Sequence, residues 1–182
     1  MADPVFHASI EGAQHGAKTL EAFLQYAKDS GAAGAQPSNY FLDGPNGLKS
    51  AKEIKDIFEK VGIKLDGISA HCPFWVHTTA WTGSPTIRPF TPPDVAKKSP
   101  AEIEQHMEDY ILRLFDLCAE LNIKIVPMFF GVAFGWEMAT GYPWGFWAGP
   151  DYDFVKEGKE RFVKKTAKIR AHANKLGIYI AH

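Results

Sequence analysis

The stretch Gly67–Trp81, GISAHCPFWVHTTAW, places two imidazoles and several aromatic rings directly after an apolar run. Histidine titrates near neutral pH, so His71 and His77 could move a proton or hydrogen-bond a substrate hydroxyl. The face of Trp75 could stack on a sugar and exclude water from it. The spacing of the two histidines is not the close helical spacing of a zinc pair. These residues predict a substrate site and not a self-contained metal centre.

A second ring-rich segment, GVAFGWEMATGYPWGFWAGPDY, occupies residues 131–152. We expect Trp136 to line the same pocket, although long loops also need aromatic residues for their own packing. His7, near the end of the first predicted strand, could face the site as well. For His71 the alternative is a buried imidazole that hydrogen-bonds a backbone carbonyl, and for His77 it is a plain surface histidine.

The elements that must position these residues follow a recurring pattern of a helix, a Gly or Asn, and a short apolar run. It occurs as IFEKVGIKLDGISAH, LCAELNIKIVPMFF and AHANKLGIYIAH. The Gly or Asn suits the left-handed end of a helix, and the apolar run indicates a buried strand. The predicted strands are Val5–Ile10, Ala32–Gln36, Ile63–Ala70, Ile123–Phe130 and Ile178–Ala181, and the predicted helices are Thr19–Asp29, Ser50–Val61, Pro100–Leu121 and Asp153–Leu176.

This alternation predicts an α/β fold with a parallel sheet and right-handed crossovers. The long connections all follow strands, which is where parallel barrels and open sheets place their sites. We expect residues 1–182 to form a single domain, the first five strands and four helices of a TIM (β/α)8 barrel. A doubly wound sheet is the alternative, but no strand is followed by a G-x-G-x-x-G or P-loop turn. The segment GPNGLKS is predicted to be a turn before a helix.

The segments GISAHC, IKIVPMFFG and KLGIYIAH resemble the xylose-isomerase-like TIM barrels, the sugar phosphate isomerases/epimerases. The resemblance implies a metal-dependent isomerase or epimerase that acts through an enediolate, with His182 in an acid/base role or as a support for a neighbouring metal ligand. His71 is the other candidate catalytic residue, because it ends the third predicted strand. The resemblance also implies a divalent ion, Mn²⁺ or Mg²⁺, whose ligands would follow residue 182, so that the chain would be the first part of a longer barrel.

Two alternatives remain open. The loops HCPFWVHTTAWTG and GWEMATGYPWGFWAGPDY resemble a subgroup that includes catalytic subunits cleaving 3-keto-glycosides, C-glycosides among them. That chemistry would expel an aglycone by elimination. The other alternative is a non-catalytic sugar-binding or assembly fragment. The expected partners are a small sugar or glycoside and, because an open sheet leaves an unpaired edge, another copy or a smaller subunit.

Composition excludes several other classes of function. The chain has 182 residues and a formal net charge of −1, whereas nucleic-acid binding usually requires a basic excess. No signal peptide and no apolar stretch of membrane-spanning length is visible. The two cysteines, Cys72 and Cys118, are expected to be reduced, which is consistent with a cytoplasmic protein.

Overall fold

Parallel strands form the frame of the first of two units into which the chain divides. The computed structural model describes residues 9–11, 16–44, 47–70, 93–128 and 153–181. The first unit comprises Met1–His71, Arg113–Met128 and Leu176–His182, and the second comprises Cys72–Leu112 and Phe129–Lys175.

Helices and strands alternate along the described chain as the sequence predicts. The strands are β1 (Ser9–Glu11), β2 (Gly34–Gln36), β3 (Asp43–Gly44), β4 (Gly47–Leu48), β5 (Lys64–Leu65), β6 (Ile125–Pro127) and β7 (Tyr179–Ala181). The helices are α1 (Leu20–Asp29), a 3-10 turn (Asn39–Phe41), α2 (Ala51–Val61), α3 (Pro100–Glu120), α4 (Phe154–Lys165) and α5 (Ala167–Leu176).

Side chains fix where these helices begin. Ser50 and Glu53 form a capping box at α2, in which each side chain accepts a hydrogen bond from the other residue's backbone N–H. Ser99 and Glu102 do the same at α3, where the Ser99 N–H donates to Glu102 Oε2 at 2.9 Å. The same type of capping box therefore begins both α2 and α3.

Left-handed residues end α2 and α5 at the glycines of the recurring pattern. Gly62 and Gly177 have φ angles of 75° and 67°. Asn122 takes the same role after α3 with φ 59°. Each lets the chain reverse within a residue or two and enter the following strand.

The parallel strands pair in the order in which they occur along the chain. β1 pairs with β2, β2 with β5, and β6 with β7, all parallel. Parallel bridges Ser38↔Ser69 and Ala70↔Met128 continue β5 towards its carboxyl end and connect it to the end of β6. A doubly wound sheet reverses its strand order at one point, whereas a barrel does not. The described order is therefore that of a TIM barrel in part, and the parallel α/β prediction is confirmed.

The core of the first unit lies between the strands and their crossover helices. α1 and α2 contact each other, α1 contacts β2, and α2 contacts β5. Phe23 also stacks on Phe41, with ring centroids 5.0 Å apart. The fully or almost fully buried apolar residues of the three helices in this unit include Leu20, Phe23, Leu24, Ala27, Ile54, Phe58, Leu114, Phe115 and Cys118.

In the second unit, lysines of the last helical region pair with carboxylates of α3. Lys165 Nζ contacts the Glu104 carboxylate at 2.5 Å, and Lys168 Nζ contacts Glu108 Oε1 at 2.5 Å. Glu104 and Glu108 lie one helical turn apart on α3, and their partners lie at the end of α4 and the start of α5. Acidic residues of α3 thus balance part of the positive charge of these two helices.

Two local features differ from the prediction. The helix predicted over Asp153–Leu176 is divided into α4 and α5 at the buried Thr166, whose backbone angles of φ −95° and ψ 2° depart from helical values. The backbone hydrogen bonds continue, since the Thr166 N–H donates to Phe162 O at 3.0 Å and the Arg170 N–H to Thr166 O at 2.9 Å. The Thr166 hydroxyl also donates to Phe162 O, at 2.7 Å, a contact that often bends helices. The segment predicted as a turn after β2 also forms part of a short antiparallel pairing, Asp43↔Leu48 and Gly44↔Gly47. Among the described residues, no helix is both long enough and apolar enough to cross a membrane.

Candidate active site

The six residues that the sequence singles out lie outside the described residues. They are His7, His71, Trp75, His77, Trp136 and His182. Their roles therefore remain predictions.

The structure does describe the strand ends that immediately precede two of them. The Ala70 N–H, before His71, donates to Pro127 O at 2.8 Å. The Met128 N–H donates to Ala181 O, before His182, at 2.9 Å. The carboxyl ends of three consecutive strands thus lie side by side in one unit, which is the edge where barrel enzymes place their catalytic residues.

One face of the paired strands β2 and β5 carries polar side chains and glycines. The Asp66 carboxylate lies over Gly34, where a Cβ would overlap it. The Gln36 side chain lies over Gly67, where a Cβ would come 2.9 Å from Gln36 Oε1. Gly34 and Gln36 share a face because side chains alternate along a strand. Asp66 and Gly67 belong to the same face because Asp66 lies over Gly34 and Gln36 lies over Gly67.

Adjacent residues normally point to opposite faces, so the shared face of Asp66 and Gly67 marks an irregular strand. This explains why β5 ends at Leu65 and regular pairing returns only at Ser69 and Ala70. The strand predicted over Ile63–Ala70 is therefore interrupted in its middle. The opposite face is apolar, with Ala35 and Ile68 fully buried.

Gln36 and Ser69 join the two strands near their carboxyl ends. Gln36 Nε2 donates to Ser69 Oγ at 2.5 Å, and Ser69 is only 1% exposed. The backbone of Ser69 is also held on both sides: its N–H donates to Pro37 O at 3.1 Å, and its C=O accepts from Asn39 N at 3.0 Å. Barrel interiors are usually filled by Val, Ile and Leu. The polar Gln36–Ser69 pair, near the carboxyl ends of the strands, departs from that rule. It therefore marks a place where hydrogen bonding replaces aliphatic packing.

The connection after β2 forms a short structured cover at the same end. Ser38 and Asn39 are both 1% exposed, and Ser38 Oγ donates weakly to Asn39 Oδ1 at 3.4 Å. Lys49 Nζ donates to Phe41 O at 3.2 Å and to Asp43 O at 2.7 Å. The lysine thereby ties the 3-10 turn to the hairpin and fixes the loop that follows β2.

Charge near this edge is limited in the described part of the chain. The Lys64–Asp66 ion pair, at 3.5 Å, lies towards the amino end of the strand. No group of three or more His, Cys, Asp or Glu side chains there is arranged to hold a metal ion. The described residues therefore do not by themselves provide the metal site that the family resemblance implies.

Sequence reasoning missed Gln36, Asp66 and Ser69. All three occur in segments that it treated as buried strands, AAGAQPS and KLDGISAH. A usable indication was present, because each of these polar residues has a glycine within two positions of it along the chain. Glycine inside a strand often marks a bulge or a close approach of another group.

Comparison with known proteins gives a structural likeness and no sequence match. No family model matches the chain, and no curated protein matches it. Among solved structures, the chain is similar to D-psicose 3-epimerase from Clostridium cellulolyticum H10, described with D-tagatose, at a TM-score of 0.52 and 13% identity. The match covers 96% of this chain and 51% of that one, so the chain spans about half the length of the structure it matches. At this identity the likeness concerns the fold, and it agrees with the strand order in assigning a TIM barrel in part.

Proposed function

We propose that this chain is the amino-terminal part of a sugar isomerase or epimerase of the xylose-isomerase-like type. The observation that supports this most directly is the polar Gln36–Ser69 pair near the carboxyl ends of the strands, the edge where barrel enzymes place their sites. The structural likeness to a D-psicose 3-epimerase supports the same class of reaction.

The proposed reaction moves one proton. A base removes the proton from the carbon next to the substrate carbonyl, which leaves an enediolate, and the proton then returns to the other face of that carbon or to the neighbouring carbon. His182 and His71 are the proposed acid/base residues, because each directly follows a strand end at the carboxyl edge and imidazole titrates near neutral pH. His7, Trp75, His77 and Trp136 are proposed to contact the substrate.

The proposal includes a divalent ion, Mn²⁺ or Mg²⁺, which would stabilise the negative charge on the enediolate oxygen. Its ligands are proposed to follow residue 182. The sugar or glycoside is the proposed small-molecule partner, and a second copy or a smaller subunit is the proposed protein partner.

Exchange of substrate protons with solvent tests the proposal. The full-length protein, which includes the metal ligands proposed to follow residue 182, is incubated in D2O with D-psicose, D-fructose or D-tagatose, with Mn²⁺ or with a chelator, and deuterium at the carbons next to the carbonyl is followed by NMR. We expect incorporation that the chelator abolishes and that His71→Asn lowers by at least tenfold. His172→Asn, on α5, is the matched control and should leave the rate unchanged.

Failure of that assay has two distinct forms. Binding of these sugars without any proton exchange would contradict the enzymatic proposal and favour the non-catalytic sugar-binding alternative. Neither binding nor exchange would contradict the choice of sugar as the ligand.

A second candidate is cleavage of 3-keto-glycosides, favoured by the ring-rich composition of residues 71–81 and 131–152. The same α-proton loss would then expel the aglycone by elimination, and wide aromatic loops suit a bulky aromatic aglycone. Release of a phenol from a 3-keto-glucoside, without epimerisation of free ketohexoses, would favour this candidate over the first.

A further inference from the structure

We propose that Gln36 and Ser69 form a hydroxyl-binding subsite that recognises one hydroxyl group of an uncharged polyol substrate. The inference rests on the proposed function for its substrate class. It depends on the same Gln36–Ser69 pair that supports the proposed function and not on the loop histidines, so the two proposals are separated by their tests.

Hydrogen-bonding capacity is left over at this pair. A glutamine amide has two N–H donors and a carbonyl acceptor, and a serine hydroxyl both donates and accepts. One Gln36 N–H donates to Ser69 Oγ. Among the described residues, no further hydrogen bond of either side chain is seen. The second amide N–H, the amide oxygen and the serine hydroxyl hydrogen remain for a ligand.

Burial makes this remaining capacity significant. Ser69 is 1% exposed, whereas Gln36 is only partly buried, so the Gln36 amide is the part of the pair that a ligand reaches. A site built to hydrogen-bond a hydroxyl rejects ligands that lack it, because its polar groups then lose their partner.

The pair is held in place before any ligand arrives. Gly67 leaves room for the Gln36 amide, since a Cβ there would lie 2.9 Å from Oε1 and 3.4 Å from Cδ. Backbone hydrogen bonds to Pro37 and from Asn39 fix Ser69 on both sides. A subsite that is already ordered loses little conformational entropy on binding.

The chemistry of the pair indicates an uncharged ligand group. Both side chains are neutral, and the charged neighbour on the same face, Asp66, is paired with Lys64. A neutral amide and hydroxyl match an alcohol, which also donates and accepts one hydrogen bond. Anionic groups such as phosphate are bound more strongly by arginine or lysine.

The test measures binding of D-fructose and its 3-deoxy, 4-deoxy and 6-deoxy analogues by saturation-transfer NMR titration. Gln36→Met keeps the length of the side chain and removes its hydrogen bonds, and Ser69→Ala removes the hydroxyl. We expect each variant to bind D-fructose about tenfold more weakly. Gln105→Met is the matched control, because Gln105 is an exposed helical glutamine that donates to Asp109 at 2.7 Å. It should bind D-fructose as the unmodified chain does.

The deoxy analogues separate recognition from structure. If the pair recognises one hydroxyl, the analogue that lacks this hydroxyl binds the unmodified chain about tenfold more weakly than D-fructose does. The Gln36→Met variant then binds that analogue as strongly as the unmodified chain does. Equal weakening of all four sugars by both variants would mean that the pair only supports the fold and would overturn the inference. Absence of D-fructose binding to the unmodified chain would also overturn it.

The two proposals fail in different ways. Proton exchange that is unaffected by Gln36→Met would overturn the subsite and leave the isomerase or epimerase proposal intact. Sugar binding that depends on Gln36, without proton exchange, would overturn the isomerase or epimerase proposal and leave the subsite intact. Thermal unfolding of each variant checks that it is folded. If one of the two variants does not fold, the other still tests the inference.

Discussion

At Gly34 the lack of a side chain is required by a neighbouring carboxylate. A Cβ at this position would overlap Asp66, whose Oδ2 atom is buried against it. We expect Gly34→Ala to lower the free energy of unfolding by about 1–3 kcal/mol, because the Asp66 side chain would have to move within packed surroundings. Urea denaturation measures this.

A double substitution tests the cause. In the Asp66→Ala background the overlap is gone, so adding Gly34→Ala should cost much less than it does in the unmodified chain. An equal cost in both backgrounds would show that contact with Asp66 is not responsible.

Cys118 is a free, fully buried cysteine on α3. Burial raises the pKa of its thiol from 9.0 to about 12. The thiol is therefore protonated and unreactive at neutral pH, because the thiolate is the nucleophile. In a Cys72→Ser background, we expect iodoacetamide at pH 8 to modify Cys118 only after urea unfolds the chain.

The same pKa shift gives a sign for the pH dependence of stability. The pKa of the Cys118 thiol is higher in the folded chain than in the unfolded chain. The contribution of the buried, protonated thiol to the free energy of unfolding is therefore complete below pH 9 and is lost as the pH rises towards about 12. Cys118→Ala should remove that part of the alkaline loss of stability. Rapid labelling of the folded chain at pH 8 would contradict the assignment.

At the residue scale, the histidines and tryptophans stand out in the sequence because they are concentrated after predicted strands, and their roles stay predictions. Gln36 and Ser69 do not stand out, since one polar residue in an apolar segment looks like ordinary variation. Their importance depends on the irregularity at Asp66 and Gly67, which aligns them across two strands and is not encoded by any local periodicity.

Among the elements, the register of β6 and β7 gives a direct test of the strand pairing. Ile125 lies beside Tyr179, and the two are 62% and 73% exposed, whereas Val126 is fully buried. We expect Val126→Ala to cost about 2 kcal/mol of stability. Ile125→Thr and Tyr179→Thr should each cost less than about 0.5 kcal/mol.

This comparison is sensitive to a shift of one residue. Such a shift would exchange the two faces of β6, so Ile125 would become buried and Val126 exposed. Chemical denaturation of the three variants would then give the opposite order of stabilities and contradict the pairing.

Helices and their ends could be predicted almost to the residue, because the determinants are local. Ser50 and Ser99 cap helices through neighbours three positions away, and Gly62 and Asn122 end them through their own backbone conformation. The division at Thr166 could not be predicted, because threonine fits a helical apolar face equally well. It is recognised from the backbone angles of Thr166, φ −95° and ψ 2°.

For the whole molecule, strand order decides between two architectures that the sequence left open. A parallel barrel and a doubly wound sheet use the same alternation of strands and helices, so periodicity alone cannot separate them. The bridges Ser38↔Ser69 and Ala70↔Met128 do so, since they connect consecutive strands without reversal. That a single domain extends over residues 1–182 stays a prediction.

The consecutive pairing also has a consequence for the order of folding. Partners in the β1–β2 and β2–β5 pairs lie roughly half as far apart in sequence as those that join Ala70 to Met128 or β6 to β7. Each doubling of a closed loop costs about 0.6 kcal/mol of chain entropy. We therefore expect the β1–β2–β5 sheet to form first as the chain leaves the ribosome. In native-state hydrogen exchange, we expect a higher free energy of opening for the amides of this sheet than for those of β6 and β7, whose pairing closes longer loops.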